Sequence, residues 1–218
     1  MRRPVSNGLP PATVYGKHVG ETILVIGNSD SLTGMDLDQF DFFTTIGLNR
    51  ILRIYEPIYT MMVDQSVVRD EYERMPDAQT TFLIYPGAMS SKIRALYNGP
   101  WVSTGAMTSQ CDPTAKTGPI HICKVGNSAY EAVQIAYRMG ASRIALAGVD
   151  MYWPPGKDSH FFGDGNKAGC ALRKPDAITK DFGELKKMFK SLGVDMFSIS
   201  PWKTHFRDVM GYVPLDQL

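Results

Sequence analysis

Two short runs carry the side chains best placed to do chemistry. Gly27-Asn28-Ser29-Asp30-Ser31 closes an apolar run that starts at Thr22, and Gly148-Val149-Asp150-Met151-Tyr152 closes another that starts at Arg143. A glycine at a strand end lets a ligand approach the backbone, and amides and hydroxyls beside a helix start can hydrogen-bond phosphate or ribose. Ordinary strand–helix turns use the same residue types. The Gly27 loop has neither G-x-G-x-x-G nor G-K-[ST], so neither a dinucleotide fingerprint nor a P-loop is present. The signal lies in having both edges in one chain, because α/β proteins build nucleotide sites at the carboxyl edge of a parallel sheet.

Other polar residues fall on the same expected edge. Asn49 ends a second strand and Asp64 a third, where each could serve a ribose, a base edge or the cap of the next helix. Asn127 or Ser128 can cap a helix, with Ala129 inside it and Glu131 answering in its first turn. After Tyr152 comes Ser159-His160-Phe161-Phe162-Gly163-Asp164-Gly165, in which His160 or Asp164 could serve as base or acid. Lys157, Lys167, Arg173 and Lys174 surround that run and could neutralise a phosphate or simply solvate a loop. His18, His121 and His205 lack such a setting, and His160, Asp164 and His205 show no metal-ligand spacing. Asp36-Leu37-Asp38 imitates a metal-binding D-x-D pair but falls in an expected short helix, where acidic residues complement the dipole.

The elements that must position these groups alternate. Strands are expected at Thr22–Gly27, Phe42–Leu48, Tyr59–Val63, Thr80–Tyr85, Arg143–Val149 and Val194–Ile199. Helices are expected at Ser66–Arg74, from Ser128 to Gly140, and at Asp176–Leu192, with Phe182, Leu185, Met188, Phe189 and Leu192 on one side. Pro86–Pro119 and Met151–Pro175 show no sustained period. This alternation predicts a single α/β, Rossmann-like domain, mainly parallel, with helices on both faces. Residues 21–204 would form it, between a flexible arm (1–20, basic and Pro-rich at Met1–Pro11) and a tail (205–218).

Composition narrows the class. The 218 residues carry a formal net charge of +1, so no global field attracts nucleic acid or a membrane. Cys111, Cys123 and Cys170 are odd in number and lack CxxC spacing, which argues against a disulfide framework and for a reducing compartment. No apolar stretch reaches the roughly 20 residues of a membrane helix, and the N-terminus has no signal core, so a cytoplasmic location is expected.

The ordered series of motifs resembles a known family. ILVIGNSDSL is similar to the opening I-x-G-N-G-P-S-L of Campylobacter-type bacterial sialyltransferases and of relatives once grouped only as a domain of unknown function. NSAYEAVQIAYRMGASRIALAGVDMYW resembles their T-S-G helix followed by I-x-L-x-G-x-D-x-Y, and SHFFGD their S-H-Y-x-G-H. GELKKMFKSLGVDMFSISPWK resembles their closing helix and strand. The resemblance runs from about Glu21 to Thr204, and short phage or prophage proteins with an H-x-H-G-D loop look closer still.

The resemblance implies a CMP-sugar donor, no metal requirement and no separate cofactor. Gly27, Asn28 and Ser31 would lie on the phosphate side, Asn49 at the cytidine, and Ser128 with Ala129 at ribose or base. Asn127 replaces a threonine, Asp150 keeps the aspartate of G-x-D, and Tyr152 matches a tyrosine that binds the donor phosphate. Asp64 stands where those enzymes carry asparagine. His160 matches the first histidine of the H-Y-x-G-H loop, while Asp164 takes the place of the second, their general base.

The expected activity is therefore a metal-independent glycosyl transfer from a nucleotide donor to an acceptor hydroxyl. A glycan, a lipid-linked sugar or a modified DNA base could supply that hydroxyl, in a bacterium or a phage-infected host, and homo-oligomers are compatible with it. Two alternatives stand beside it. One is a 6-hydroxymethyl-dihydropterin diphosphokinase using ATP, with Asp64 and Asp150 holding magnesium. The other is a phage nucleotide-binding protein without catalysis.

Overall fold

Short, apolar, β-branched runs make the strands, and their two-residue alternation decides what covers each face. A computed structural model describes residues 8–90, 93, 97, 99–122, 126–152, 156, 158–163 and 174–218. Its strands are β1 (Thr22–Ile26), β2 (Thr44–Leu48), β3 (Tyr59–Met62), β4 (Thr81–Ile84), β5 (Trp101–Ser103), β6 (Met107–Thr108), β7 (Ile120–His121), β8 (Arg143–Ala147) and β9 (Asp195–Ser198). Seven of them form one sheet in the order β5-β4-β3-β2-β1-β8-β9, every neighbour parallel. Val25 lies in register with Ile46 on one side and Leu146 on the other. β6 and β7 pair separately.

The chain builds outward from β1 to β5, then returns to place β8 and β9 on the opposite side of β1. The loops after β1 and β8 therefore leave in opposite directions and open a crevice between them. On one face Ile23, Val25, Ile46, Ile144 and Leu146 pack with the helices α2 (Ser128–Met139), α3 (Pro175–Ser191) and α4 (His205–Met210). On the other, Leu24, Ile26, Ala145 and Ala147 meet Leu32, Phe40 and Ile51 of short 3-10 segments. Helix α1 (Gln65–Glu71) covers Met62, Phe82 and Ile84 on that second face.

Local chemistry sets the helix ends. The Asn127 side chain accepts the Ala129 and Tyr130 N–H groups at 3.0 and 3.2 Å, and Gly140 stops α2 with a left-handed φ of 103°. α3 opens on Pro175 and turns fully buried Phe182, Leu185 and Phe189 inward, each worth about 1.5–3 kcal/mol of burial. Leu192, expected on that buried face, is 50% exposed because the chain leaves the helix before it.

Several expectations need revision. Phe42 is not in a strand: a 3-10 helix runs Leu37–Phe42, with Asp36 accepting the Asp38 N–H at 3.3 Å. The Pro86–Pro119 stretch holds β5, a three-residue strand too short to show a period, together with β6. Within residues 8–20, Leu9 exchanges backbone hydrogen bonds with Trp101 and Ser103 along the free side of β5, and Val14 is buried while Leu9 and Val19 stay exposed. Residues 205–218 are equally integrated, since α4 buries Phe206 and Met210 completely and Ser198 bridges to Tyr212. No helix among the described residues is long and apolar enough to cross a membrane.

The crevice depends on two glycines. A Cβ at Gly27 would stand 2.1 Å from the Gly148 carbonyl oxygen, and one at Gly148, whose φ is 59°, would stand 2.6 Å from Leu32 Cγ. Gly27→Ala must push β1 and β8 apart at the sheet centre. It should cost about 1–3 kcal/mol or more in urea unfolding. Gly34→Ala, with nothing within 4 Å of the added carbon, should stay within about 0.5 kcal/mol of wild type.

Candidate functional site

Above the carboxyl ends of β1, β2, β3 and β8 lies a cleft of about 670 Å³. The strand ends bring Gly27, Asn28, Asn49, Asp64 and Asp150 to its walls, as the strand order requires. The start of α2 adds Asn127, Ser128 and Ala129, and the segment after β8 adds Tyr152 and His160. One sequence candidate is not there, and another is not described. Ser31 is buried behind the wall, and Asp164 lies outside the described residues, as do Lys157, Lys167 and Arg173. A larger groove of about 910 Å³ lies at the amino edge of the sheet, beside Arg143 and Asp195. None of its described residues carries an orphaned buried polar atom.

The polar chemistry of the cleft is one-sided. Asn28 donates its amide N–H to the Leu48 carbonyl at 2.9 Å, which fixes its orientation and leaves Oδ1 facing no protein donor. Asn49 Oδ1 and Asp150 Oδ1 are likewise buried without a protein partner. Three orphaned acceptors on one cleft are costly unless something supplies N–H or O–H groups to them. The backbone also carries strain here: Asn49 (φ 53°) and Met151 (φ 59°) are the left-handed non-glycine residues among those described, and both border the cleft.

Asp150 anchors the crevice from below. It is 3% exposed, and Ser31 Oγ donates to its Oδ2 at 2.5 Å. Burial pushes its carboxyl up, while the Ser200, Ser29 and Ser31 hydroxyls pull it down. Ser31 thus ties the β1 loop to the β8 loop, with its hydroxyl turned to Asp150. Tyr152 donates its hydroxyl to Asp176 in the first turn of α3, and its ring meets His205 edge-on at 5.9 Å. Burial first, and Asp176 second, raise that phenol above its usual range.

The segment 158–163 lies over the cleft as a tight turn. Gly163 N–H donates to the His160 carbonyl at 3.0 Å, and Phe161 N–H reaches the Asn28 carbonyl at 3.0 Å. Ser159 Oγ sits 2.8 Å from His160 Nδ1, and the imidazole stacks on Phe162 at 4.8 Å. Phe162 in turn lies under the Arg50 and Arg53 guanidiniums, at 5.4 and 5.6 Å. Glu71, fully buried, holds that pair, with Arg53 at 2.5 Å, Arg74 at 3.3 Å and Arg50 at 3.8 Å, while Asp70 takes Arg50 at 2.7 Å.

Sequence reasoning missed Arg50 and the role of Phe162. The signal was available for Arg50, which follows Asn49 directly, but nothing local says that Phe162 will meet arginines more than a hundred residues away. In the sequence Glu131 reads as a capping residue only. It borders the cleft at 3% exposure, and burial pushes its carboxyl up to about 8; Asp64 adds to the rise and the Asn127 backbone N–H opposes it. No cluster of three His, Cys, Asp or Glu arranged for a metal occurs among the described residues.

The fold has counterparts among solved structures. The sialyltransferase CstII from Campylobacter jejuni, in complex with the substrate analogue CMP-3FNeuAc, superposes with a TM-score of 0.55 at 10% identity, covering 90% of this chain and 88% of that one. CstII with cytidine-5'-monophosphate gives 0.56 at 12%, covering 92% and 88%. The MAf glycosyltransferase from Magnetospirillum magneticum AMB-1 gives 0.53 at 13%, covering 84% of this chain and 32% of that chain. No family model and no curated protein matches the sequence. At these identities the likeness is one of fold alone.

Two outcomes follow from the geometry alone. Each guanidinium on Phe162 contributes about 0.5–1 kcal/mol, so Phe162→Ala should speed amide exchange at Phe161 and Gly163 while shifting global stability by about 2 kcal/mol at most. Glu131 keeps its proton in the folded protein but loses it near pH 4.5 when unfolded. Its contribution therefore falls as pH rises from about 4.5 to about 8, by up to about 1.4 kcal/mol per pH unit. Urea unfolding of Glu131→Gln should lack that decline relative to wild type between pH 5.5 and 7.5.

Proposed function

We propose that this protein is a metal-independent glycosyltransferase that moves a sugar from a CMP-linked donor to an acceptor hydroxyl. The observation that carries the reading is the set of orphaned acceptors on Asn28, Asn49 and Asp150 at the carboxyl ends of β1, β2 and β8. Ribose hydroxyls and an exocyclic base amine are the donors such a wall needs. The fold likeness to CstII, in structures with CMP and CMP-3FNeuAc, supports the same choice of nucleotide.

Charge favours a single phosphate. Among the described residues Arg50 is the arginine or lysine on the cleft, and it is already paired with Asp70 at 2.7 Å. The described walls offer little positive charge for a triphosphate. The diphosphokinase alternative requires Asp64 and Asp150 to share magnesium. Asp150 is instead buried against serine hydroxyls while Asp64 is exposed at the start of α1, so the two do not form a cation cage.

In the transfer, the acceptor oxygen attacks the anomeric carbon, and the bond to the phosphate oxygen breaks. His160, or Asp164 in the same loop, takes the acceptor proton. The phosphate of the departing CMP gathers charge near Ser128 and Tyr152, whose hydroxyl exchanges Asp176 for the phosphate oxygen. The acceptor, whether glycan, lipid-linked sugar or modified DNA base, enters over the 158–163 loop.

Unfolding with CMP, UMP, GDP and ATP, each with magnesium and with EDTA, tests the donor. CMP at about 100 times its Kd should add roughly 2.7 kcal/mol, undiminished by EDTA. Stabilisation by ATP alone, and only with magnesium, would overturn the proposal. His160→Gln should leave CMP binding intact and cut sugar transfer by about 10²–10⁴-fold if the imidazole is the base. Full activity in both His160→Gln and Asp164→Asn would remove this loop from the proton transfer.

A further inference from the structure

Two acidic side chains are almost wholly enclosed in helices of this protein, and they are treated in opposite ways. Glu71 has three arginines around it, and Glu131 forms no ion pair with any described residue. An enclosed carboxylate without a countercharge is unfavourable, so such a group stays protonated. Glu131 is also on the wall of the nucleotide cleft, in the first turn of α2.

We propose that Glu131 binds the base of the nucleotide as an uncharged acid, donating its O–H to an acceptor atom on the base edge. This rests on the nucleotide reading above and adds which group recognises the base and in which protonation state. The donor balance of the cleft points to it. Asn28, Asn49 and Asp150 offer acceptors without partners, and the N–H groups of Ala129 and Tyr130 at the start of α2 are spent on the Asn127 side chain. A base such as cytosine needs both kinds of partner, since its amine donates while its ring nitrogen and carbonyl accept. The Glu131 O–H supplies a donor beside these unpaired acceptors.

Position agrees. Glu131 feels the charge of Asp64, which follows β3, so it lies toward the β2–β3 side of the cleft. The other charged and titratable described groups on these walls are Arg50 after β2, Asp150 and Tyr152 after β8, and His160 in the overlying loop. Asp64, already negative, disfavours a second charge beside it. Burial and Asp176 hold the Tyr152 phenol above its usual range.

Binding of CMP and of phosphate-free cytidine, measured calorimetrically from pH 7 to 9.5, tests the assignment. If only the protonated form binds, Kd for both should rise about tenfold per pH unit above 8, roughly 30-fold in all. Glu131→Gln, which keeps an uncharged donor, should bind at all these pH values with a nearly constant Kd. Should that variant fail to fold, wild type alone still decides. Heats in two buffers of different ionisation enthalpy at pH 8.5 should show uptake of most of one proton per cytidine bound.

A flat wild-type profile with no proton uptake, or an alkaline loss retained in Glu131→Gln, would overturn the assignment while leaving the nucleotide reading in place. Absence of CMP binding at any pH would overturn both.

Discussion

Everything at this site depends on how closely the backbones after β1 and β8 approach one another. A parallel sheet with a switch point needs two loops to part there, but the polar groups beneath them still need partners. Here Gly27 and Gly148 remove the side chains that would hold the loops apart, and Ser31 and Asp150 bind the two loops together from behind. Ser29 N–H donates to the Gly148 carbonyl at 3.0 Å, closing the same seam. The seam fixes where Asn28 and Asp150 stand, and those two side chains then present acceptors that the protein leaves unpaired.

That dependence explains what was readable in the sequence. The strand ends were legible because buried parallel strands are continuous apolar runs, and the first polar residues after them must fall on one edge. Gly27, Asn28, Asn49, Asp64, Asp150 and Tyr152 were placed correctly by that rule alone. The Asn127 cap and Gly140 stop of α2 were legible for the same local reason. Ser31 was not, because helix-start serines look alike whether they face a ligand or a neighbouring carboxylate, and only the pairing with residue 150 decides.

Long-range partners account for the other misses. Phe162 reads as a loop aromatic until Arg50 and Arg53 stand beside it, and those arginines are held there by a carboxylate on α1. β5 is three residues long and reads as loop, yet its backbone pairs β4 on one side and Leu9 on the other. Glu131 illustrates the limit best. At the first turn of a helix a glutamate is ordinarily a solvated cap, and only the enclosure of this one gives its proton any importance.

The cleft has a floor of strand ends, which holds the unpaired acceptors, and a covering segment above it. The described part of that segment, 158–163, is attached through the Phe161 N–H to the Asn28 carbonyl and through Phe162 to the arginines. His160 rides on that segment, so its imidazole follows the stack on Phe162 and not the sheet. In the proposed transfer, that mounting would let the imidazole shift with the segment while a nucleotide stays on the strand ends. The Glu71–arginine cluster holds Arg50 and Arg53 against Phe162, and through that ring it positions the His160 imidazole.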